Sequence, residues 1–218
     1  MTLAQAYSRL QALGSETLRT ADAAAALETS STAAGKVLAR LRAANLITRL
    51  RPGLWLVSRN VANPYGLAEA ITAPQPSYIS LQTALYLHGM IDQVPAVHYL
   101  VSLARTQRIR TTVGTYSVHH IVPELFGGFE ARADGTKLAT PEKAVFDAIY
   151  LSSARSRLFA RLPELELPPD FSAAKLRYWI LRIAAPNRQL MVTTRVARVL
   201  RDADRIASDA ANRQRKKR

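Results

Sequence analysis

The chain has 218 residues, 48% of them apolar, with 30 Lys and Arg against 16 Asp and Glu for a net charge of +14, and no cysteine. That apolar content supports packed cores in one large or two modest domains and excludes a disordered chain, while the missing cysteines exclude disulfides, thiolate zinc sites and cysteine nucleophiles and fit a reducing compartment. No apolar run approaches the roughly 20 residues that span a bilayer, and the opening Met-Thr-Leu-Ala-Gln lacks a basic segment followed by an apolar core, so the expected location is cytoplasmic, with no membrane contact.

The charge is unevenly placed. Residues 1–60 carry eight Lys/Arg against three Asp/Glu, residues 61–150 six against seven, and residues 151–218 sixteen against six. Basic ends around a neutral middle suit a polyanion gripped from those ends, since each neutralised phosphate releases condensed counterions. A solubility device is the alternative.

In chain order, Leu3, Ala6, Tyr7, Leu10 and Leu13 recur at helical spacing up to Gly14, which predicts a first helix. Thr20 reads as the N-cap of a second, with Asp22 in its first turn and a small-residue run through Ala26 and Leu27. Glu28-Thr29-Ser30 interrupts that run, and Ser31 is expected to cap a third helix ending near Ala44. On the third helix Ala34, Val37, Leu38 and Leu41 form the apolar stripe, which turns Thr32, Lys36 and Arg40 the other way. Such a face fits a DNA major groove: Ala33 and Gly35 allow close backbone approach, and Ser30, Ser31 and Thr32 can bond phosphates or base edges. A solvated helix face has the same spacing.

The segment ITRLRPGLWLV, Ile47 to Val57, then switches to strand periodicity, with Ile47 to Leu50 as one strand, Arg51-Pro52-Gly53 as the turn and Leu54 to Val57 as the return. Arg49 and Arg51 fall on one face and Leu50 on the other. Trp55 and Leu56 are expected to anchor the hairpin against the helices and leave both arginines free for phosphate or a minor groove. Three helices followed by a basic hairpin predict a winged helix-turn-helix over residues 1–60 that binds double-stranded DNA; the same fold serving protein interaction is the alternative.

Arg59 to Pro64 reads as a hinge, with residues 61–218 as a second domain. There, Tyr65 to Ile71 and Ser80 to about His88 read as helices, and Val97 to Leu103, Arg108 to Val113 and Thr115 to Val122 as strands. Thr140-Pro141-Glu142 starts a helix that turns Ala144, Val145, Ala148 and Ile149 inward. A helix from Ser172 carries Leu176, Trp179, Ile180 and Ile183 to a break at Pro186. The last helix carries Leu190, Val196, Val199, Leu200 and Ile206, with Arg198/Asp202 and Arg205/Asp209 as i,i+4 pairs on a solvated face. The terminal basic run, Arg213 to Arg218, is expected to be disordered from about residue 207. The fold class is therefore α+β: an N-terminal winged helix-turn-helix followed by a mixed α/β domain with a helical, basic end.

Three further segments carry a resemblance. YISLQTALYLHGM (Tyr78 to Met90), HHIVPELFGGFE (His119 to Glu130) and TPEKAVFDAIYL (Thr140 to Leu151), following a basic winged helix, resemble the AbiEi antitoxins of type IV bacterial toxin–antitoxin systems. The similarity spans roughly Leu3 to Leu151. It implies an N-terminal domain that binds inverted repeats in its own promoter, and a C-terminal domain that counters a nucleotidyltransferase-like toxin without forming a stable complex with it. The positions matching the family's DNA-binding winged helix are Lys36, Arg40, Arg49 and Arg51.

Catalytic signatures are weak. Adjacent His119 and His120 on a strand point to opposite faces and cannot share a metal, and His88 before Gly89 reads as a helix terminus. Glu142 and Asp147 lack a paired lysine at nuclease-like spacing, Ser152-Ser153 has no neighbouring base, and Gly127-Gly128 matches no phosphate-binding pattern. No catalytic residue, metal or cofactor is expected. The leading expectation is a transcriptional autorepressor that is also an antitoxin, acting as a monomer or dimer on DNA. A regulator with no toxin partner and a nucleic-acid-processing enzyme are the rivals.

Overall fold

The computed structural model describes residues 1–57, 63–152 and 164–216, with side chains up to residue 206 and at 208 in the last helix. It is mixed α+β, with eight α-helices and two sheets among the described residues.

Helix α1 (Leu3–Gln11) begins with a reciprocal cap: the Thr2 hydroxyl accepts from the Gln5 N–H (3.2 Å) and the Gln5 side-chain oxygen accepts from the Thr2 N–H (2.8 Å). A strand not expected from sequence, β1 (Thr17–Arg19), follows; three residues are too few to display alternation. Helix α2 (Thr20–Ala26) has Arg19, not Thr20, at its cap position. There the Arg19 N–H donates to the Asp22 carboxylate at 2.7 Å, and the Thr20 hydroxyl is free to accept from the Trp55 indole N–H at 3.0 Å. Helix α3 (Ser31–Ala43) is capped by Ser30 rather than Ser31, the Ser30 Oγ accepting from the Ala33 N–H at 3.2 Å.

Strands β2 (Thr48–Arg51) and β3 (Leu54–Leu56) form the hairpin, its turn closed by Gly53 at φ +78°. With β1 they make an antiparallel sheet in the order β1-β3-β2. Alternation along β3 divides its side chains between two cores. Trp55 and Val57 pack with Ala6, Leu10, Ala23, Leu27, Leu38 and Leu41 of the helices, whereas Leu54 and Leu56, with Leu50, belong to the larger core that contains Leu67 and Ile71. The hairpin is thus the shared wall between two bodies. Of the expected hinge, residues 58–62 lie outside the described residues.

In the second body a 3-10 turn (Pro64–Leu67) leads into α4 (Ala68–Thr72), β4 (Ser77–Ile79), α5 (Leu81–Leu87), β5 (His98–Ser102), β6 (Gln107–Thr111) and β7 (Gly114–His120). Strands β8 (Phe129–Ala131) and β9 (Lys137–Ala139) precede α6 (Pro141–Ser152), α7 (Ala173–Leu181) and α8 (Pro186–Lys216). The sheet runs β6-β7-β5-β4-β9-β8, with β5 parallel to β7 and β4 parallel to β9. Strands β5, β6 and β7 match expectation; β4, β8 and β9 are three-residue strands that sequence periodicity did not expose.

Helix α6 departs most from its expected pattern. It packs against α5, α7 and α8, so every residue from Glu142 to Leu151 is buried, not only the four expected. On α8, Leu190 is 68% exposed instead of joining the apolar stripe, and among the described side chains Val192, Val196 and Ala203 are the buried positions. The helix continues to Lys216, where disorder was expected from residue 207. Asp202 serves both Arg198 (3.8 Å) and Arg205 (3.9 Å), while the side chain of Asp209 lies outside the described residues. The Gly127-Gly128 pair has a packing reason: at Gly128, φ +70°, a Cβ would come within 2.6 Å of the Trp179 ring.

Candidate nucleic-acid interface

Helix α3 presents Ser31, Thr32, Lys36 and Arg40 exposed, backed by fully buried Ala34, Leu38 and Leu41. The stripe and the polar face fall where a 3.6-residue period puts them. Neither Lys36 nor Arg40 has a carboxylate within ion-pairing distance among the described residues. A Cβ built at Gly35 meets nothing within 4 Å, so the helix flank there is open. Ser30, by contrast, spends its hydroxyl on the helix cap, and only its other lone pair and proton remain for a ligand.

The hairpin arginines separate. Arg49 is exposed, its guanidinium 5.5 Å from the centre of the Trp55 ring, and its carbonyl accepts from the Thr112 hydroxyl at 3.3 Å. Arg51 was expected on the same free face and is not there. The register shifts between Arg49, opposite Trp55, and Arg51, opposite Leu54, leaving Leu50 as the extra residue of a bulge. Leu50 is buried in the second core, and Arg51 turns with it toward α4, donating to the Ile71 carbonyl at 3.2 Å with its Nε buried and unpaired. Arg51 is a tie between the bodies rather than a free cation.

Two exposed cations that are not among the sequence-expected site residues, Arg108 and Arg110, lie on β6, the edge of the larger sheet and the strand that lies against β2. Their signal was available as the alternation in Gln-Arg-Ile-Arg-Thr, where Ile109 between them is half-buried.

Another passed-over cation, Lys143, lies inside. Its Nζ contacts Asp147 Oδ1 at 2.5 Å and donates to the Leu125 carbonyl at 2.8 Å, enclosed by the rings of Tyr78, Phe146 and Trp179. Asp147 Oδ2 accepts from the Tyr78 hydroxyl (3.0 Å) and the Ser80 hydroxyl (2.8 Å), so Ser80, expected to cap α5, bonds across the core instead. Burial pushes the Lys143 ammonium down and the Asp147 carboxyl up from their ordinary ranges, and the ion pair opposes both shifts. Both side chains are 0% exposed, which leaves no approach for a substrate. Their partners come from β4, the Pro123–Leu125 turn and the α5 start, so the network joins elements that are distant in sequence.

The histidines are also engaged. His119 is buried, shares a 3.0 Å hydrogen bond with the Ser117 hydroxyl, and is lowered by burial to about 4, whereas His120 is exposed on the opposite face. His88 follows α5 and donates its Nε2–H to the Ala139 carbonyl at 2.7 Å. Among the described residues no three His, Asp or Glu gather as metal ligands, and no helix is long and apolar enough to cross a membrane.

No protein-family model matches the chain, and no curated protein matches it in sequence.

Proposed function

We propose that residues 1–57 form a winged helix-turn-helix that binds double-stranded DNA, and that the protein represses transcription by occluding its own promoter. The observation that carries this reading is the exposed Thr32/Lys36/Arg40 face of α3, whose two cations have no ion-pair partner among the described residues, backed by a buried stripe and followed by an antiparallel hairpin. In this reading α3 enters the major groove, Lys36 and Arg40 reach base edges, Ser31 and Thr32 reach phosphates, and Arg49 contacts the flanking backbone. Inverted repeats bring two copies to one site. The resemblance to AbiEi antitoxins extends the proposal: the second body counters a nucleotidyltransferase-like toxin without forming a stable complex with it.

The test is a titration of the DNA upstream of the gene against a scrambled duplex. Lys36→Ala and Arg40→Ala should each weaken the preference for the native sequence by about 1–3 kcal/mol per lost base contact. Unchanged discrimination in both variants would remove α3 from recognition. Growth rescue on co-expression with a nucleotidyltransferase-like neighbour tests the antitoxin role; no rescue reduces the proposal to a DNA-binding regulator.

A further inference from the structure

We infer that the DNA surface does not end with the hairpin: Arg108 and Arg110 on β6 grip the phosphate backbone of duplex flanking the segment held by α3 and Arg49. The inference rests on the DNA-binding reading above and assigns a share of that binding to the second body.

Three observations converge on this edge. Strand β2 is the outer strand of its sheet, and β6 is packed against it, with the Thr112 hydroxyl just beyond β6 bonded to the Arg49 carbonyl at 3.3 Å. Residues 108 and 110 are exposed on one face of the strand, opposite half-buried Ile109, so their side chains leave the sheet on the same side from backbone positions about 6.6 Å apart. Successive phosphates of one strand rise about 3.4 Å along the axis while also turning around it, so they lie farther apart through space than that rise, and two neighbouring phosphates suit two arginines on adjacent same-face positions of a strand. Finally, neither arginine has a carboxylate within ion-pairing distance among the described residues, which leaves both without an ion-pair partner there, on the strand packed against the one that carries Arg49. Cations on an edge strand also deter strand addition, and an acidic protein could meet the same charges; both are outcomes that the experiment separates from DNA contact.

The experiment measures affinity of the full chain for a long duplex over a range of salt concentrations. Arg108→Gln with Arg110→Gln should lower the slope of log K against log[salt] by about 1.8, at 0.9 per phosphate, while leaving the ratio of native to scrambled affinity unchanged. Arg108→Lys with Arg110→Lys keeps the charges and should restore the slope, which a structural role for the guanidinium groups would not. On a duplex trimmed beside the hairpin, the Gln variant and the wild type should converge. An unchanged slope on the long duplex overturns the inference, whether the variant stays soluble, aggregates through its bared edge or loses an acidic protein partner. If instead the wild-type chain binds neither the native nor the scrambled duplex, the DNA-binding reading fails first, and that result is distinct from a silent β6.

Discussion

Helices α3 and α6 are close in length, 13 and 12 residues, and each carries charged side chains four apart, yet they use charge in opposite ways. In α3 one face is buried and Lys36 and Arg40 stand in solvent without a counter-ion among the described residues. In α6, surrounded by α5, α7 and α8, Lys143 and Asp147 are fully buried and satisfy one another. A charged residue in a sequence therefore announces a cation at the surface only when the helix has a free face. What decides is how many neighbours the helix has, which is a property of the whole fold.

The largest effect should come from breaking the charge that is inside. Asp147→Ala leaves a buried ammonium with only the Leu125 carbonyl and aromatic faces around it, and is expected to cost about 3–5 kcal/mol of stability in urea unfolding. Adding Lys143→Met to that variant should recover part of the loss, because the uncompensated charge disappears. If the double variant were no more stable than the single one, the pair would not be the element that holds α6 to β4. The equivalent removal on α3, Lys36→Ala, should leave stability within about 0.5 kcal/mol and act on DNA instead.

A pH titration sharpens the same contrast. His119 is kept neutral by burial, with a pKa of about 4 in the folded protein against the ordinary 6.5. Between those values the unfolded chain binds more protons than the folded one, so stability present above pH 6.5 is lost as pH falls toward 4. Between pH 7 and pH 5 this one group should remove about 2 kcal/mol. His119→Gln should flatten that part of the profile; a profile with unchanged steepness would assign the acid sensitivity to other groups.

The parts of the molecule legible in the sequence were those whose environment is local. The stripe of α3, the Pro52-Gly53 turn and the Thr140-Pro141 helix start each follow from residues within one or two turns of the chain. Arg51 was misread because its side chain is set by a bulge whose cause, the burial of Leu50 against the second body, lies across the domain boundary. Strands β1, β4, β8 and β9 were missed because three residues carry no periodicity and gain their identity from the neighbours they pair with. Lys143 and Asp147 share the spacing of a solvated i,i+4 pair, and only the packing of three other helices distinguishes them from one.

The smallest effect separates folding from recognition at a single pair of serines. Ser30 holds the first turn of α3 through its bond to the Ala33 N–H, while Ser31 is exposed inside the helix. Ser30→Ala should therefore lower stability by about 1 kcal/mol, and Ser31→Ala should leave it unchanged. Ser30→Asp keeps an acceptor for the cap and adds a negative charge where the proposed DNA backbone passes, so stability should hold while duplex affinity falls. Equal affinity for Ser30→Asp and wild type would place the phosphates away from this end of α3, even if Lys36 and Arg40 still read the bases.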